Sequence, residues 1–451
     1  MSTFTAHYKE LTRLGLPIVI GQLGIIFVSF VDTFMVGRHG TNDLAAASFV
    51  NNMFNLAIIF ATGFSYGLTP IVGKLFAKGK LRNAGEMFKN ALLANGIIAL
   101  MLVAVMWILY LNIGNLGQPT ELLGLMRPYY ITLLLSIPFT LLFNAFKQFA
   151  DGITDTKTSM WILLAGNILN IIGNYLLIFG KCGMPELGLL GAGISTLLSR
   201  MATLAISLII FFNRKRYRIY VTGFWRTEIS RMRQKELFLL GLPIAAQMGM
   251  EAASFSLTTI MVGWIGTTAL AAHQIMVTVS QLGFMIYYGM AAAVAVKVSN
   301  YNGTGEIAEI RRVATSGFHL ITLLAIITSA VIFIVRSHIG AIFTDDTPVI
   351  LLVAQLTIPF ILYQIGDGMQ CTYANALRGI TDVRPMMLYA FIAYFVISLP
   401  AGYLFGFVLN LGLPGVWMSF PFGLTSAGIM FYLRFRHTLK KRGNNTNNPA
   451  Q

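Results

Sequence analysis

The stretch LGLPIVIGQLGIIFVSFVDTFMVG at 14–37 constrains this chain most. About 20 predominantly apolar residues cross roughly 30 Å of hydrocarbon as a helix, and the run has that length. Its two ends recur: LGLPI at 14–18 returns at 240–244, and MVG at 35–37 returns at 261–263, both 226 residues further on. LAA at 44–46 and Gly79 repeat at the same distance, as LAA at 270–272 and Gly305. IPF at 137–139 returns at 358–360, GITD at 152–155 returns at 379–382, and GLLGAGIS at 188–195 aligns loosely with GLPGVWMS at 412–419. A duplicated membrane protein follows.

Apolar runs between polar and Gly/Pro punctuation predict about twelve spans. They lie near 14–37, 48–73, 91–113, 129–150, 160–180, 188–212, 237–263, 273–298, 314–336, 350–377, 386–409 and 412–434. The expected fold is all-α and integral to the membrane, with two six-helix lobes. Repeats that run in the same direction with an even number of spans are related by an axis along the membrane normal, with a central cleft between the lobes. The expected division is an N-terminal lobe at 1–212, a basic cytoplasmic linker at 213–236, a C-terminal lobe at 237–436 and a polar cytoplasmic tail at 437–451.

A net charge of +15 in a soluble protein would suggest nucleic acid. Here the bases alternate between loops. Lys74, Lys78, Lys80, Arg82 and Lys89 form one group, Arg214 to Lys235 a second, and Arg434 to Arg442 a third. The intervening loops carry only Arg38, Arg127, Lys181 and Arg336. This is the positive-inside pattern; it places both termini in the cytoplasm and argues against a nucleic-acid partner. Trp225 in the linker suits an interfacial anchor, although a linker needs only solubility. Cys182 and Cys371 show neither pairing nor metal-ligand spacing, and no nucleophile elbow, P-loop or HExxH signature is present, so no enzyme is expected.

Among 17 acidic residues, Asp32, Glu251 and Asp367 sit inside spans. An acid there is costly and marks a functional site by default. They are not repeat equivalents: at the 226-residue offset Asp32 faces Thr258 and Glu251 faces Ile25. Near Asp32 the candidates are Asn170 and Asn174, four apart on one helix face, with Asn167 close to that face and Thr196 on the next span. Carboxylate, amide and hydroxyl oxygens suit a proton or Na⁺ and suit soft metals poorly. In the second half, Gly366 and Gly368 flank Asp367, and Tyr363 lies one turn earlier on its face. Na⁺ at Glu251, Asp367 and Tyr363 is the metal reading. Pro17, Pro138, Pro243 and Pro359 can kink their helices. Arg200, inside the sixth span, is expected to snorkel to the cytoplasmic face.

LGLPI, Asp32 and MVG in the first span, their echo in the seventh, GITDT near 152, and Asn170 and Asn174 followed by Thr196 resemble the multidrug and toxic compound extrusion (MATE) transporters. Carrying both Glu251 and Asp367 is similar to the NorM-type branch. The resemblance implies export of cationic, lipophilic or aromatic drugs against Na⁺ or H⁺ by alternating access, in a bacterial inner membrane. It implies no cofactor beyond the coupling ion and no obligatory protein partner. It makes Asp32, Asn170, Asn174 and Thr196 the cation-coupling site of the N-lobe, Glu251, Tyr363 and Asp367 that of the C-lobe, and Pro17 the bending point of the first helix. Some relatives carry an aspartate where this chain has Asn174. The rival function is a lipid-linked sugar flippase of the same broad superfamily, which would favour a cationic cleft; the deep charges here are mainly acidic.

Overall fold

The computed structural model describes residues 4–115 and 119–447, so the end of the tail expected at 437–451 lies outside the described residues. Among them, twelve helices are long and apolar enough to cross a membrane. They are α1 Phe4–His39, α2 Thr41–Ala77, α3 Leu81–Leu111, α4 Thr120–Gly152, α5 Thr156–Ile178, α6 Gly188–Asn213, α7 Arg231–Gly263, α8 Thr267–Thr304, α9 Ile307–Phe343, α10 Thr347–Gly379, α11 Arg384–Val408 and α12 Gly412–Asn444. The all-α, twelve-span architecture is therefore as expected, and the chain is a multi-pass membrane protein. Most helices outrun their apolar stretches. α3, for example, begins at Leu81 and carries Arg82, Glu86 and Lys89 before its apolar run. Inside hydrocarbon the backbone must satisfy its own polar groups, and a helix that does so continues readily into the polar interface.

The chain forms two compact units, one of residues 20–245 and one of residues 1–19 with 246–451. These boundaries fall within α1 and α7, two residues after Pro17 and Pro243, and not in the 213–236 linker. The first turns of α1 thus belong with the later half of the chain, and the first turns of α7 with the earlier half. In the unit carrying residues 246–451, His7 meets Glu309 at 2.9 Å and Lys297 meets Glu10 at 2.7 Å.

The repeat is visible in packing as well as sequence. Gly241 lies against Phe64, where an added Cβ would come to 2.7 Å from the Phe64 carbonyl oxygen; its repeat mate Gly15 lies in the same way against Met290. At Gly241 the obstacle is backbone and only glycine fits, whereas at Gly15 the nearest atom is the flexible Met290 thioether. Thr154 and Thr381, the threonines of the two GITD loops, both take a left-handed backbone, with φ of 64° and 62°.

The loop aspartates are then anchored differently. Asp382 accepts from Arg434 Nε at 2.7 Å and from Thr438 Oγ1 at 2.6 Å, both on α12. Asp155 accepts from Tyr217 Oη at 2.8 Å and from Arg216 Nη1 at 3.1 Å, both from the linker. The linker therefore does more than stay soluble. Tyr217 is fully buried, and the linker helix Arg218–Arg226 packs so closely on α3 that Gly85 and Gly223 have no room for a side chain. Trp225, by contrast, is exposed, as an interfacial anchor would be.

Candidate functional site

In the unit of residues 20–245, Asp32 on α1 meets α5. Asn174 Nδ2 donates to Asp32 Oδ1 and lies 3.4 Å from Asn170 Oδ1. Asn170 Nδ2 donates to Thr196 Oγ1 on α6 at 3.3 Å, and Ser195 Oγ donates to the Asn170 carbonyl at 2.8 Å. The four residues singled out in this half thus form one polar chain across three helices. Gly173 permits it, because a Cβ there would crowd the Ser195 side chain. Asn174 is fully buried, and its Oδ1 has no hydrogen-bond partner. Asn167 stays outside the chain and faces Gly24 on α1.

Arg200 corrects its sequence reading. It does not snorkel away. Its Nη1 donates to Ser136 Oγ on α4 at 2.6 Å, and its guanidinium lies within electrostatic reach of Asp32 and Tyr129. Tyr129 itself donates to Asn51 Oδ1 at 3.0 Å. Arg200 stands four residues after Thr196, one turn along the same face of α6, so its spacing already placed it with the site.

In the unit carrying residues 246–451, Glu251 Oε2 accepts from Gln247 Nε2 at 2.9 Å and from Gln370 Nε2 at 3.0 Å. Gln370 Nε2 also reaches Tyr394 Oη at 3.1 Å, and Arg378 Nη2 donates to Gln247 Oε1 at 2.8 Å. Asp367 is 4% exposed, close enough to Glu251 for the two to repel, and accepts from Cys371 Sγ at 3.6 Å. The two acids thus share one neighbourhood, since Gln370, three residues beyond Asp367 on α10, bonds Glu251. Tyr363 lies within the field of Asp367, but its hydroxyl bonds Ser280 and its ring packs on Phe360, Trp417 and Phe420. The flanking glycines serve close approach: Gly366 faces Thr425 on α12, Gly368 faces Ile321 on α9, and α10 runs on as one helix.

Gln247, Gln370, Arg378 and Tyr394 were not singled out from sequence. Gln247 and Gln370 had a signal, at four residues before Glu251 and three after Asp367. Tyr394 had none, because it reaches the site from the π-helical segment Ile392–Ser398 of α11, whose register departs from ordinary helical spacing. Among the described residues, no group of three or more His, Cys, Asp or Glu is arranged so as to hold a metal ion.

The MatE family model matches residues 17–176 and 243–404, once per repeat. A MOP-superfamily transporter from Pyrococcus furiosus Vc1 superposes with a TM-score of 0.88 at 19% identity, over 97% of each chain. The eukaryotic MATE transporter AtDTX14 gives 0.87 at 16%, over 98% of this chain and 99% of its own. A mutant of the Vibrio cholerae MATE transporter VcmN gives 0.86 at 17%, over 98% and 99%. At such identities these likenesses establish the fold.

Proposed function

The chain belongs to the MatE family of membrane efflux transporters, and from that premise we propose that it is a secondary antiporter exporting lipophilic organic cations in exchange for Na⁺ or H⁺. Its place is a bacterial inner membrane, with both termini cytoplasmic. The observation that carries this reading is the presence of two intramembrane acids in one neighbourhood: Gln370, three residues beyond Asp367 on α10, bonds Glu251 at 3.0 Å. Two carboxylates in one low-dielectric region, Glu251 with neutral amides as its direct partners and Asp367 with the Cys371 thiol, favour uptake of a monovalent cation. Asp32 with Asn170, Asn174 and Thr196 is the second place where ion occupancy can be read. Ion and drug need not share atoms, since each only has to prefer a different conformation. Pro17, beside the unit boundary in α1, is the proposed bending point. Phe255, stacked on Phe420 at 4.6 Å beside Tyr363 and Trp417, offers aromatic faces suited to a flat organic cation.

The test is uptake of ethidium or norfloxacin into everted vesicles under an imposed Na⁺ gradient and, separately, an imposed pH gradient. Transport should follow one of them and vanish in Asp367→Asn. The second reading is flipping of a lipid-linked sugar diphosphate, favoured by Arg200 and Arg378 as guanidiniums at the edges of the two sites. Vesicles in which no organic cation moves under either gradient would shift the reading there.

A further inference from the structure

We propose that the linker, independently of what the protein exports, is a binding surface for acidic phospholipids built around Trp225, Arg226 and Arg231. Of the eight bases from Arg214 to Lys235, three are occupied within the protein. Arg214 Nη1 donates to Thr158 Oγ1 at 3.0 Å, Arg216 pairs with Asp155 at 3.1 Å, and Arg233 reaches Glu86 and Glu236 at 3.5 Å each. The other five, Lys215, Arg218, Arg226, Arg231 and Lys235, are exposed and form no ion pair among the described residues. Glu228 is the one acid of the stretch outside those pairs.

Charge alone would serve solubility, but large apolar side chains stand among these bases. Trp225 is 67% exposed, Ile229 52% and Met232 70%. Named contacts fix their depth. Lys89 Nζ donates to the Thr227 carbonyl at 2.7 Å, and the Ser230 N–H donates to Asn90 Oδ1 at 3.0 Å. The segment is therefore level with the last polar residues before the apolar run of α3. Trp225 packs on Phe212 in the last turn of α6, with ring centroids 5.7 Å apart. Two spans thus leave the hydrocarbon at this level, which is the depth of glycerol and phosphate groups and the usual place of interfacial tryptophan. Tyr220 and Gly223 face α3, so Arg218 and Trp225, seven apart on the opposite side of the linker helix, face away from it. The close seat of Gly223 and Gly85 orders the whole surface before a lipid arrives. A headgroup with net negative charge answers the five bases, and its acyl chains answer the apolar side chains. A zwitterionic lipid answers only the second set, and RNA only the first.

The test titrates the full chain in a neutral detergent with dioleoyl phosphatidylglycerol and, separately, dioleoyl phosphatidylcholine, counting bound lipid by native mass spectrometry. Phosphatidylglycerol should bind at least about tenfold more tightly. Arg226→Gln with Arg231→Gln should erase most of that preference, and the two lysine substitutions at the same positions should keep it. Lys440→Gln with Lys441→Gln removes two exposed bases elsewhere and should leave it unchanged. An equal loss in that control, or no preference in the wild type, overturns the proposal, because the lipid would then read net charge or nothing. Reconstitution into phosphatidylcholine vesicles containing phosphatidylglycerol with brominated acyl chains gives a second readout that needs no charge variant. The bromines should quench the fluorescence that Trp225→Phe removes; an unquenched Trp225 overturns the proposal. So does a short single-stranded RNA that binds through Arg226 and Arg231 and is not displaced by phosphatidylglycerol.

Discussion

In the unit of residues 20–245 a lone carboxylate, Asp32, meets neutral amides and Arg200. In the unit carrying residues 246–451 there are two carboxylates, Glu251 among amides and within reach of Arg378, and Asp367 beside the Cys371 thiol. The backbone devices of the two halves have stayed alike: Gly15 and Gly241 face repeat-equivalent residues, Met290 and Phe64, and Thr154 and Thr381 share one strained conformation. The aspartates of the GITD loops, Asp155 and Asp382, are kept in both halves, but the ionisable groups inside the spans have diverged. Duplication thus supplied two copies of a scaffold, and the charges that can respond to an ion were placed afterwards, separately in each.

The widest separation between the halves should appear in transport. Asp367→Asn is expected to reduce gradient-driven dye export about 100-fold, to that of empty vesicles, and Asp32→Asn at least tenfold, with protein abundance near normal in both. Near-normal export in both variants would remove the acids from the mechanism and dissolve the comparison.

A stability contrast comes next, at the two GITD loops. Burial pushes the Asp382 carboxyl up, but Arg434 and Thr438 outweigh it and hold the group below the usual carboxylate range. A depressed folded value means that the stabilisation is complete above the unfolded value of about 3.9 and fades as pH falls through the folded one. Asp382→Asn should therefore cost about 1.5–3 kcal/mol at neutral pH, and thermal melts should show that cost shrinking toward acid. A penalty that is constant with pH would deny the ion pair its role.

Smaller effects sharpen the comparison at the helix contacts. A Cβ on Gly366 would come to 2.9 Å from the backbone nitrogen of Thr425, so Gly366→Ala has to move a helix. It should cost about 1–3 kcal/mol in a melt. Gly173→Ala meets mainly the Ser195 side chain, which can rotate, and should cost less than half as much. The smallest change is Tyr217→Phe, which leaves Asp155 with Thr158 and Arg216 as partners. About 1 kcal/mol is expected, and a larger loss would show the linker to be the dominant anchor of its loop.

Much of this was readable in the sequence. Hydropathy announces spans because the bilayer demands length, and the LGLPI repeat announces the duplication. Asn170 and Asn174 were placed together by helical spacing, and intramembrane cost singled out the three acids. What stayed hidden depends on contacts between helices. Periodicity gives the face of a side chain, not the neighbour across from it, so Tyr394 and the bond from Arg200 to Ser136 could not be foreseen. Arginine is doubly hard to place, because its long stem leaves open which end of the span its charge seeks. Tyr217 was hidden differently, as one of four aromatic residues in a basic segment whose reading as a linker gave it no buried role.

The shared membership of α1 bears on how the protein is made. His7 leaves the ribosome 302 residues ahead of its partner Glu309. At about 5–20 residues per second, that is a wait on the order of 15–60 seconds. Throughout it, the first turns of α1 have no native packing partner within their own unit. A nascent chain stalled at the linker would hold a nearly complete early half with an orphaned amino-terminal arm, open to chaperones and proteases until α8 and α9 arrive.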